Sequence, residues 1–453
     1  MSSLTRARRG RAYDVREMVP LPGTPWIAAR VAVGLAILAM LALLGGCGSS
    51  GSGGSKRVVV ADTHKSCPAT VVEALSHVVR RVYREGIASE RTAVAQATIA
   101  ASVPLREAVQ RGDAAAAAAA ARALVAEGRM TNLRVLAPPG PQAGGRVLAD
   151  VGGDAITPLS GTLLGASGAP IGTYVTSVWS DSGFLAESDS IASGKVALRV
   201  AGRSVGGSLA LPARRLPPEG SIVLGHTRYQ FASFGGRAFP DGRPLRVYLL
   251  RAIASTTALC GSSSEDTTVN ALSYVARLIY AGEGGTRAQR QVRRVQGNAP
   301  LLQAVARRDP LATRVAVEQL LNQHIVRLRV NAPPGAQSGG RLLADVGGPY
   351  VLAPVSAALR LGGRTIGSFV LSIQDDEGYL RLTRRLAGLR VLMYMNATNP
   401  VLVKNSLGPE PGSVPDSGRY EYRGSTYRVF TLHANAFPSG PLTVRVLIPV
   451  PYP

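Results

Sequence analysis

Leu133–Gly153 reads LRVLAPPGPQAGGRVLADVGG, and Leu328–Gly348 reads LRVNAPPGAQSGGRLLADVGG. Seventeen of the 21 positions are identical at an offset of 195. Chance does not produce such a match, so the chain carries one module twice and the two halves share a fold. The likeness continues on both sides. Upstream, Pro104–Val109 leads to Arg111-Gly112-Asp113, as Leu301–Val305 leads to Arg308-Asp309. Downstream, Pro170–Val175 pairs with Thr365–Val370, and Phe239–Gly242 with Phe437–Gly440. These limits place the repeats at 65–253 and 260–450. A period this long is a domain duplication, not a solenoid.

Each copy opens with helical pattern. Val71, Val72, Leu75, Val78, Val79 and Val82 recur at the three-and-four spacing of an amphipathic helix. Ala114–Ala121 is polyalanine, a strong helix former. The pattern then changes to period two with Gly- and Pro-rich turns. It predicts strands at 132–137, 146–151, 156–164, 171–179, 196–200, 222–234 and 245–250. The second copy supplies 325–330, 341–346, 351–359, 366–374, 389–394, 420–432 and 442–448. Helices followed by a run of strands imply an α+β fold: two repeated domains, each a long N-terminal helical segment on an antiparallel sheet.

A long helix, a strand pair ending Arg146–Gly152, then a hairpin ending Gly168-Ala169-Pro170-Ile171-Gly172 resembles the extracellular Cache (PDC, PAS-like) sensor domain. Gly363-Arg364-Thr365-Ile366-Gly367 repeats the last element. The resemblance implies a PAS-like sheet and a pocket for a small extracellular molecule. Two departures stand against the family pattern. No output module follows the second copy, and the aromatic-Arg-aromatic-Asp set of amino-acid binders is missing, so no ligand class transfers.

The N-terminus reads as an address. Val31–Leu44 is an uncharged apolar run of 14 after an Arg-rich stretch, short for a span and suited to a signal-peptide core. Leu44-Gly45-Gly46-Cys47 resembles the bacterial lipobox, which implies removal of 1–46, acylation of the Cys47 thiol (palmitate) and a Gly/Ser tether over 47–64. A retained signal anchor and a chance apolar run are the alternatives, and Met18 competes with Met1 as the start. Either membrane reading puts the bulk of the chain on the extracytoplasmic face of the cell membrane. Cys67 and Cys260 are then the remaining cysteines, at matching places ahead of each repeat's first helix. They read as a disulfide in an oxidising compartment, with two free thiols as the alternative.

At 453 residues, 46% hydrophobic and 17% charged, the chain can build two or three full cores. Its formal charge is +23, and the lysines are Lys56, Lys65, Lys195 and Lys404 only, so nearly all of the positive charge is arginine. Arginines this dispersed, without interleaved aromatics, do not make a nucleic-acid surface. They read as solvated faces with an attraction for anionic lipid or envelope polymer.

Catalytic and metal motifs are missing. His64, His77, His226, His324 and His433 form no His-x-His or His-Glu-x-x-His spacing, and no P-loop, nucleophile elbow or Cys-x-x-Cys occurs. Glu73 and His77, four apart, read as a surface pair. The chain reads as a non-enzyme with no cofactor and no metal. The sharpest local cluster is Gln374-Asp375-Asp376-Glu377-Gly378-Tyr379, read as an acidic turn matching Trp179–Phe184. Residues shared by both copies should be scaffold, with Asp150 and Asp345 in capping or turn roles. Residues that differ should mark a pocket. That logic favours the second copy and selects Tyr350, Arg364, Asp375, Tyr379, Arg390 and Tyr394 as ligand candidates, partly buried core tyrosines being the bland alternative. The reading is a surface-tethered ligand-binding lipoprotein with tandem sensor-like modules, serving a small molecule or a separate membrane receptor. The alternative is an envelope scaffold with degenerate pockets.

Overall fold

The computed structural model describes residues 66–138, 145–282, 286–321, 325–333, 340–349, 351–396, 399–437 and 440–452. Cys47, His64, His324, Tyr350 and the tether lie outside them. The first repeat opens with α1 (Cys67–Glu85), α2 (Glu90–Ala101), α3 (Val103–Arg111) and α4 (Ala114–Ala126). Strands β1 (Asn132–Leu136), β2 (Val147–Gly152), β3 (Ala155–Ile156), β4 (Leu159–Leu164), β5 (Pro170–Ser177) and β6 (Trp179–Ser180) follow. Next come α5 (Asp181–Ala192), β7 (Lys195–Val200), β8 (Arg203–Gly207), β9 (Glu219–Leu224), β10 (Thr227–Arg237), β11 (Pro244–Ala252) and a short α6 (Ile253–Thr256).

The second repeat returns to the same order. Its helices are α7 (Ser264–Gly282), α8 (Thr286–Gln296), α9 (Ala299–Ala306) and α10 (Pro310–Leu321). Its strands begin with β12 (Arg327–Asn331), β13 (Leu342–Gly347), β14 (Val351–Leu352), β15 (Val355–Leu361), β16 (Arg364–Ser372) and β17 (Gln374–Asp375). After α11 (Asp376–Ala387) come β18 (Arg390–Met395), β19 (Val401–Asn405), β20 (Gly418–Tyr422), β21 (Ser425–Ala436) and β22 (Gly440–Val450).

The fold is α+β with antiparallel sheets, and each repeat divides its strands between two of them. The four-stranded orders are β2-β1-β5-β4 and β13-β12-β16-β15. The five-stranded orders are β8-β7-β11-β10-β9 and β19-β18-β22-β21-β20. One sequence pattern has thus folded twice into one topology. Two compact units result. One is Ala88–Gly183 together with Phe239–Gly242, and the other is the described part of Val60–Ile87, Phe184–Ala238 and Arg243–Pro453.

In the first unit the polyalanine helix has a job. Ala117, Ala121 and Leu124 are buried at three-and-four spacing where α4 packs on β1 and β2, and Asp113 caps its start by accepting from the Ala116 amide at 3.0 Å. In the second unit α1 buries all six of its forecast apolar positions, against β10, β11 and the partner helix α7. Each contributes about 1.5–3 kcal/mol over an exposed side chain. The core of the second four-stranded sheet joins Leu328, Val330, Phe369 and Leu371 to Val305 and Val317 of α9 and α10.

Four local readings are corrected. The strand expected at 156–164 breaks at Thr157 (φ 56°), and its counterpart at Ala353 (φ 46°), where the chain leaves one sheet for another. The strands expected at 222–234 and 420–432 are each a hairpin. The second turns at Arg423 and Gly424, both left-handed (φ 49° and 75°), as a tight two-residue connection requires. The acidic stretch 374–379 is the entry to α11: Asp375 is the N-cap and accepts from the Gly378 amide at 2.7 Å. Asp150 and Asp345 do not cap turns. They lie on strands and pair with cross-strand arginines, Arg134 to Asp150 at 2.6 Å, Arg329 and Arg327 to Asp345 at 2.6 and 2.9 Å. Both Arg327 and Arg329 also stack on Phe437.

Candidate functional site

The duplication supplies an internal control, because equivalent places can be compared atom by atom. Helices α1 and α7 match at an offset of 197, which equates Arg80 with Arg277 and Tyr83 with Tyr280. The shared Ala-Phe-Pro before β11 and β22 equates β10 with β21 at 198, one residue (Arg243) being extra in the first copy. The strand register agrees: Phe234 lies opposite Val247, and Leu432 opposite the matching Val444.

In the first copy this place is filled. Tyr83 is buried, its ring edge-on to Phe184 at 6.1 Å and to Phe234 at 5.9 Å. Its hydroxyl accepts from the Arg237 amide at 2.7 Å and faces the Arg237 carbonyl at 3.3 Å. Burial raises the phenol's pKa. The ring rests over Gly236, where a β-carbon would come within 2.8 Å of Tyr83 Cζ, closer than packing allows. Arg80 closes the outside by stacking on Phe234 at 5.3 Å.

The second copy changes the residues that make this closure. Gly236 becomes Ala434, whose methyl takes the space of the phenol ring, and Phe234 becomes the smaller Leu432. Gly235 becomes His433, and Ser233 becomes Thr431. Tyr280 keeps the edge-on ring contact, to Tyr379 where the first copy has Phe184, but its hydroxyl bonds elsewhere. Its hydroxyl accepts from the Ala353 amide at 3.3 Å, and its ring meets Tyr379 edge-on at 5.9 Å. What remains is a solvent-open recess of about 310 Å³ bordered by Arg277, Tyr280, Thr431, Leu432 and His433. The Arg277 guanidinium lies over the Phe430 ring, 4.7 Å from its centre, and meets no carboxylate among the described residues. Thr431 donates to the Asp416 carbonyl at 2.6 Å. The Arg277 guanidinium and the Tyr280 phenol beside the Leu432 wall make a small recess open to solvent.

The control can be run in reverse. Gly236→Ala should expel the Tyr83 ring from its seat and break its two contacts with Arg237, a loss of about 2–3 kcal/mol by overpacking and lost hydrogen bonding. Denaturant unfolding checks this; an unchanged midpoint would remove the steric account of the difference between the copies.

The six candidates chosen from sequence are spread over the second copy. Arg364 begins β16 on an exposed hairpin. Asp375 caps α11. Tyr379 is fully buried, and its hydroxyl donates to the Ala276 carbonyl at 3.0 Å. Arg390 donates to the Ser406 carbonyl at 3.2 Å. Tyr394 is buried beneath Arg445, which stacks on it at 4.4 Å and pairs with Asp416. Among the five described candidates, Tyr379 alone touches the wall of the recess, through Tyr280. Glu73 and His77 lie on α1, with the His77 ring 6.0 Å from that of Tyr452. No group of three metal-ligating side chains occurs among the described residues, and no described helix is long and apolar enough to cross a membrane.

Sequence comparison of the copies missed these residues because it paired Phe239–Gly242 with Phe437–Gly440 and did not carry that pairing back along β10 and β21. The signal was present: carrying the alignment across Arg243 exposes the Gly-to-Ala, Phe-to-Leu and Gly-to-His changes together.

The disulfide joins Cys67 to Cys260, with their Cα atoms 5.7 Å apart. It ties the start of α1 to the start of α7.

No known family profile matches the chain, and no curated protein matches it. Among solved structures it is similar to the periplasmic domain of Vibrio cholerae LuxQ at 10% identity, covering 41% of this chain and 98% of that one, with a TM-score of 0.24. The ligand-binding domain of the Pseudomonas aeruginosa amino-acid chemoreceptor PctC in complex with GABA matches at 14% identity, 40% and 99% coverage and a TM-score of 0.24. An extracellular ligand-binding receptor from Desulfohalobium retbaense matches at 11% identity, 41% and 40% coverage and a TM-score of 0.22.

Proposed function

We propose that this chain is an extracytoplasmic binding protein of the sensor type, tethered through lipid on Cys47, whose second repeat takes a small molecule and whose first repeat serves as scaffold. One observation carries the reading. The same position in two copies of one fold is filled by the Tyr83 and Phe234 rings in the first and left as a solvent-open recess beside Arg277, Tyr280 and Leu432 in the second. A duplicated module that fills one pocket and keeps the other open has divided scaffold from recognition. The role is binding, not catalysis, because the recess presents donors to a ligand but no nucleophile paired with a base.

The filled first copy favours a second role for that half alone, a docking element for an anionic envelope polymer or a membrane receptor. Its basic faces supply the attraction.

The test has two arms on the full chain. A metabolite screen by thermal unfolding should find a ligand that raises the melting temperature, since a ligand at a hundred times its Kd stabilises by about 2.7 kcal/mol. Palmitate labelling and membrane retention in bacterial cells should disappear in Cys47→Ser. No shift across a broad screen would remove the binding role, and a labelled, membrane-held Cys47→Ser would remove the lipid anchor.

A further inference from the structure

The outer face of α8 differs between the copies in a way that packing does not require. We infer that this face, with the β15–β16 hairpin beside it, docks on the anionic phospholipid headgroups of the bilayer. The recess takes no part in this. The inference rests on the proposed tether only for proximity to the membrane.

Three observations converge. First, α2 and α8 are one helix in two copies, and the added arginines sit on its solvent side alone. Ser102 and Asn298, the N-caps of the helices that follow, equate the two at an offset of 196. Thr92, Ala95 and Ile99 are buried in α2, and their equivalents Ala288, Gln291 and Val295 are buried in α8. The inner face is kept. On the outer face Val94, Ala97 and Thr98 become Arg290, Arg293 and Arg294. Spacings of three and four residues put these side chains on one side, opposite the buried stripe. Arg290 and Arg293 are exposed, and Arg294 is half-buried at the margin. Helix α2 carries one glutamate and one arginine, whereas α8 carries four arginines and no acid. Over the aligned stretch, 284–308 has six arginines and no acid, where 88–112 has three arginines and two glutamates.

Second, the charge continues on the neighbouring hairpin. The Gln296 side-chain amide at the end of α8 donates to the Ala358 carbonyl of β15 at 3.1 Å. Two residues further on stands Arg360, and Arg364 opens β16; both are exposed. By strand register the first copy has Leu164 and Ala169 there. The helix dipole favours cations in the last turn, which accounts for Arg293 and Arg294 but not for Arg290 or the hairpin. Arginines three and four apart also repel one another, so an anionic surface against this face relieves the helix.

Third, chemistry and reach suit a bilayer. Among the described residues no large apolar side chain is exposed on α8, so contact is with headgroups and not with acyl chains. The guanidinium fork takes two phosphate oxygens at once. Cys47 lies 19 residues before Ser66, a length of chain that spans at most about 65 Å. Helix α7 starts beside Cys67, with Thr267 Oγ1 4.0 Å from the Cys67 sulfur. Its 19 residues carry the chain about 28 Å toward α8. An anchor on Cys47 therefore leaves α8 within reach of the surface that holds it.

The experiment uses the full chain with Cys47→Ser, so that no acyl group holds it, and sedimentation with vesicles. These are phosphatidylcholine alone, or phosphatidylcholine and phosphatidylglycerol in equal parts. The mixed vesicles should bind the protein and the neutral ones should not, and raising salt from about 0.1 M to about 0.5 M should release it. Arg290→Gln with Arg293→Gln and Arg294→Gln should weaken binding about hundredfold, or about fivefold for each arginine, with the melting temperature kept. Arg122→Gln with Arg203→Gln and Arg215→Gln removes the same charge from exposed positions of the first repeat and should leave binding nearly unchanged.

Equal weakening by the two triple variants would reduce the effect to net charge and overturn the site. Binding that neither variant alters would belong to the N-terminal stretch and overturn it too. Equal binding to neutral vesicles, or none to the mixed ones, would overturn the inference outright. A complex with inorganic polyphosphate or polyglutamate formed in preference to the vesicles would replace the lipid with a polymer or an acidic protein. Absence of acyl label on Cys47 in cells would remove the tether and leave the vesicle result standing.

Discussion

Replacing Cys67 and Cys260 with serine should lower the unfolding free energy of the unit that holds both repeats' long helices by about 2–5 kcal/mol. The crosslink closes a loop of 193 residues. In the chain-entropy picture such a loop restricts the unfolded ensemble by about 5 kcal/mol, with native strain and residual structure reducing the observed value. The folded state also has a specific need for it. Helices α1 and α7 lie against each other from a common start, and each crosses to the other copy. Arg385 of the second repeat pairs with Glu85 of α1 at 2.9 Å, and Tyr274 of α7 bonds Ser193 of the first repeat at 3.1 Å. Cutting the bridge leaves those contacts to hold the repeats together. Guanidinium unfolding of the double variant, and of the wild type with and without reductant, measures the effect. Native wild-type protein whose two thiols are freely alkylated without reductant would show that the bridge does not form.

Asp181→Asn should stabilise the first unit by about 1–2 kcal/mol at pH 7 to 8, with the gain vanishing below about pH 4. Asp181 starts α5 with Oδ1 buried and unpartnered among the described residues. Burial, reinforced by the charge of Asp154, pushes its carboxyl pKa up to about 6. The sign follows from proton counting. A folded-state pKa above the unfolded one means the native protein holds the proton longer, so stability is fully present below the unfolded value near 3.8 and is lost as pH rises through about 6. Two pKa units correspond to about 2.7 kcal/mol, and solvent screening of a half-buried group reduces that figure. Asparagine carries no charge at any pH, so it should behave as the protonated acid does. Urea unfolding of both proteins from pH 3.5 to 8 gives the difference curve; a constant difference across that range would rule out the buried charge as its cause.

The second copy shows how the same problem is solved. Asp376, at the equivalent position, is buried too, but the Lys404 ammonium stands 3.4 Å away and also bonds Glu377 at 2.9 Å. Burial raises the Asp376 pKa while Lys404 opposes it. The sequence offered Lys404 as one of four lysines in an arginine-rich chain, without a hint of its partner 28 residues earlier.

Much of the fold was legible because it rests on periodicity. The α1 stripe, the alternation in β1 and β5 and the Gly/Pro punctuation are local properties that each residue carries wherever the chain goes. The duplication doubled the evidence. Strand breaks at Thr157, Ala353 and Arg423 had a signal in the residue that follows each, Pro158, Pro354 and Gly424, which the apolar run on either side outweighed. The division of strands between two sheets was hidden because an apolar run says that a strand is buried, not which neighbour buries it.

The sequence alone determined that one α+β module occurs twice, with helices first and antiparallel strands after. It could do so because binary pattern and turn chemistry are written residue by residue. Only the tertiary structure decided that one copy is closed and the other open. That difference comes from a ring above Gly236 meeting a methyl at Ala434, a contact between a helix and a strand about 150 residues apart in each copy. Steric exclusion at that range has no trace in local pattern, because it exists only once the chain has brought the two surfaces together.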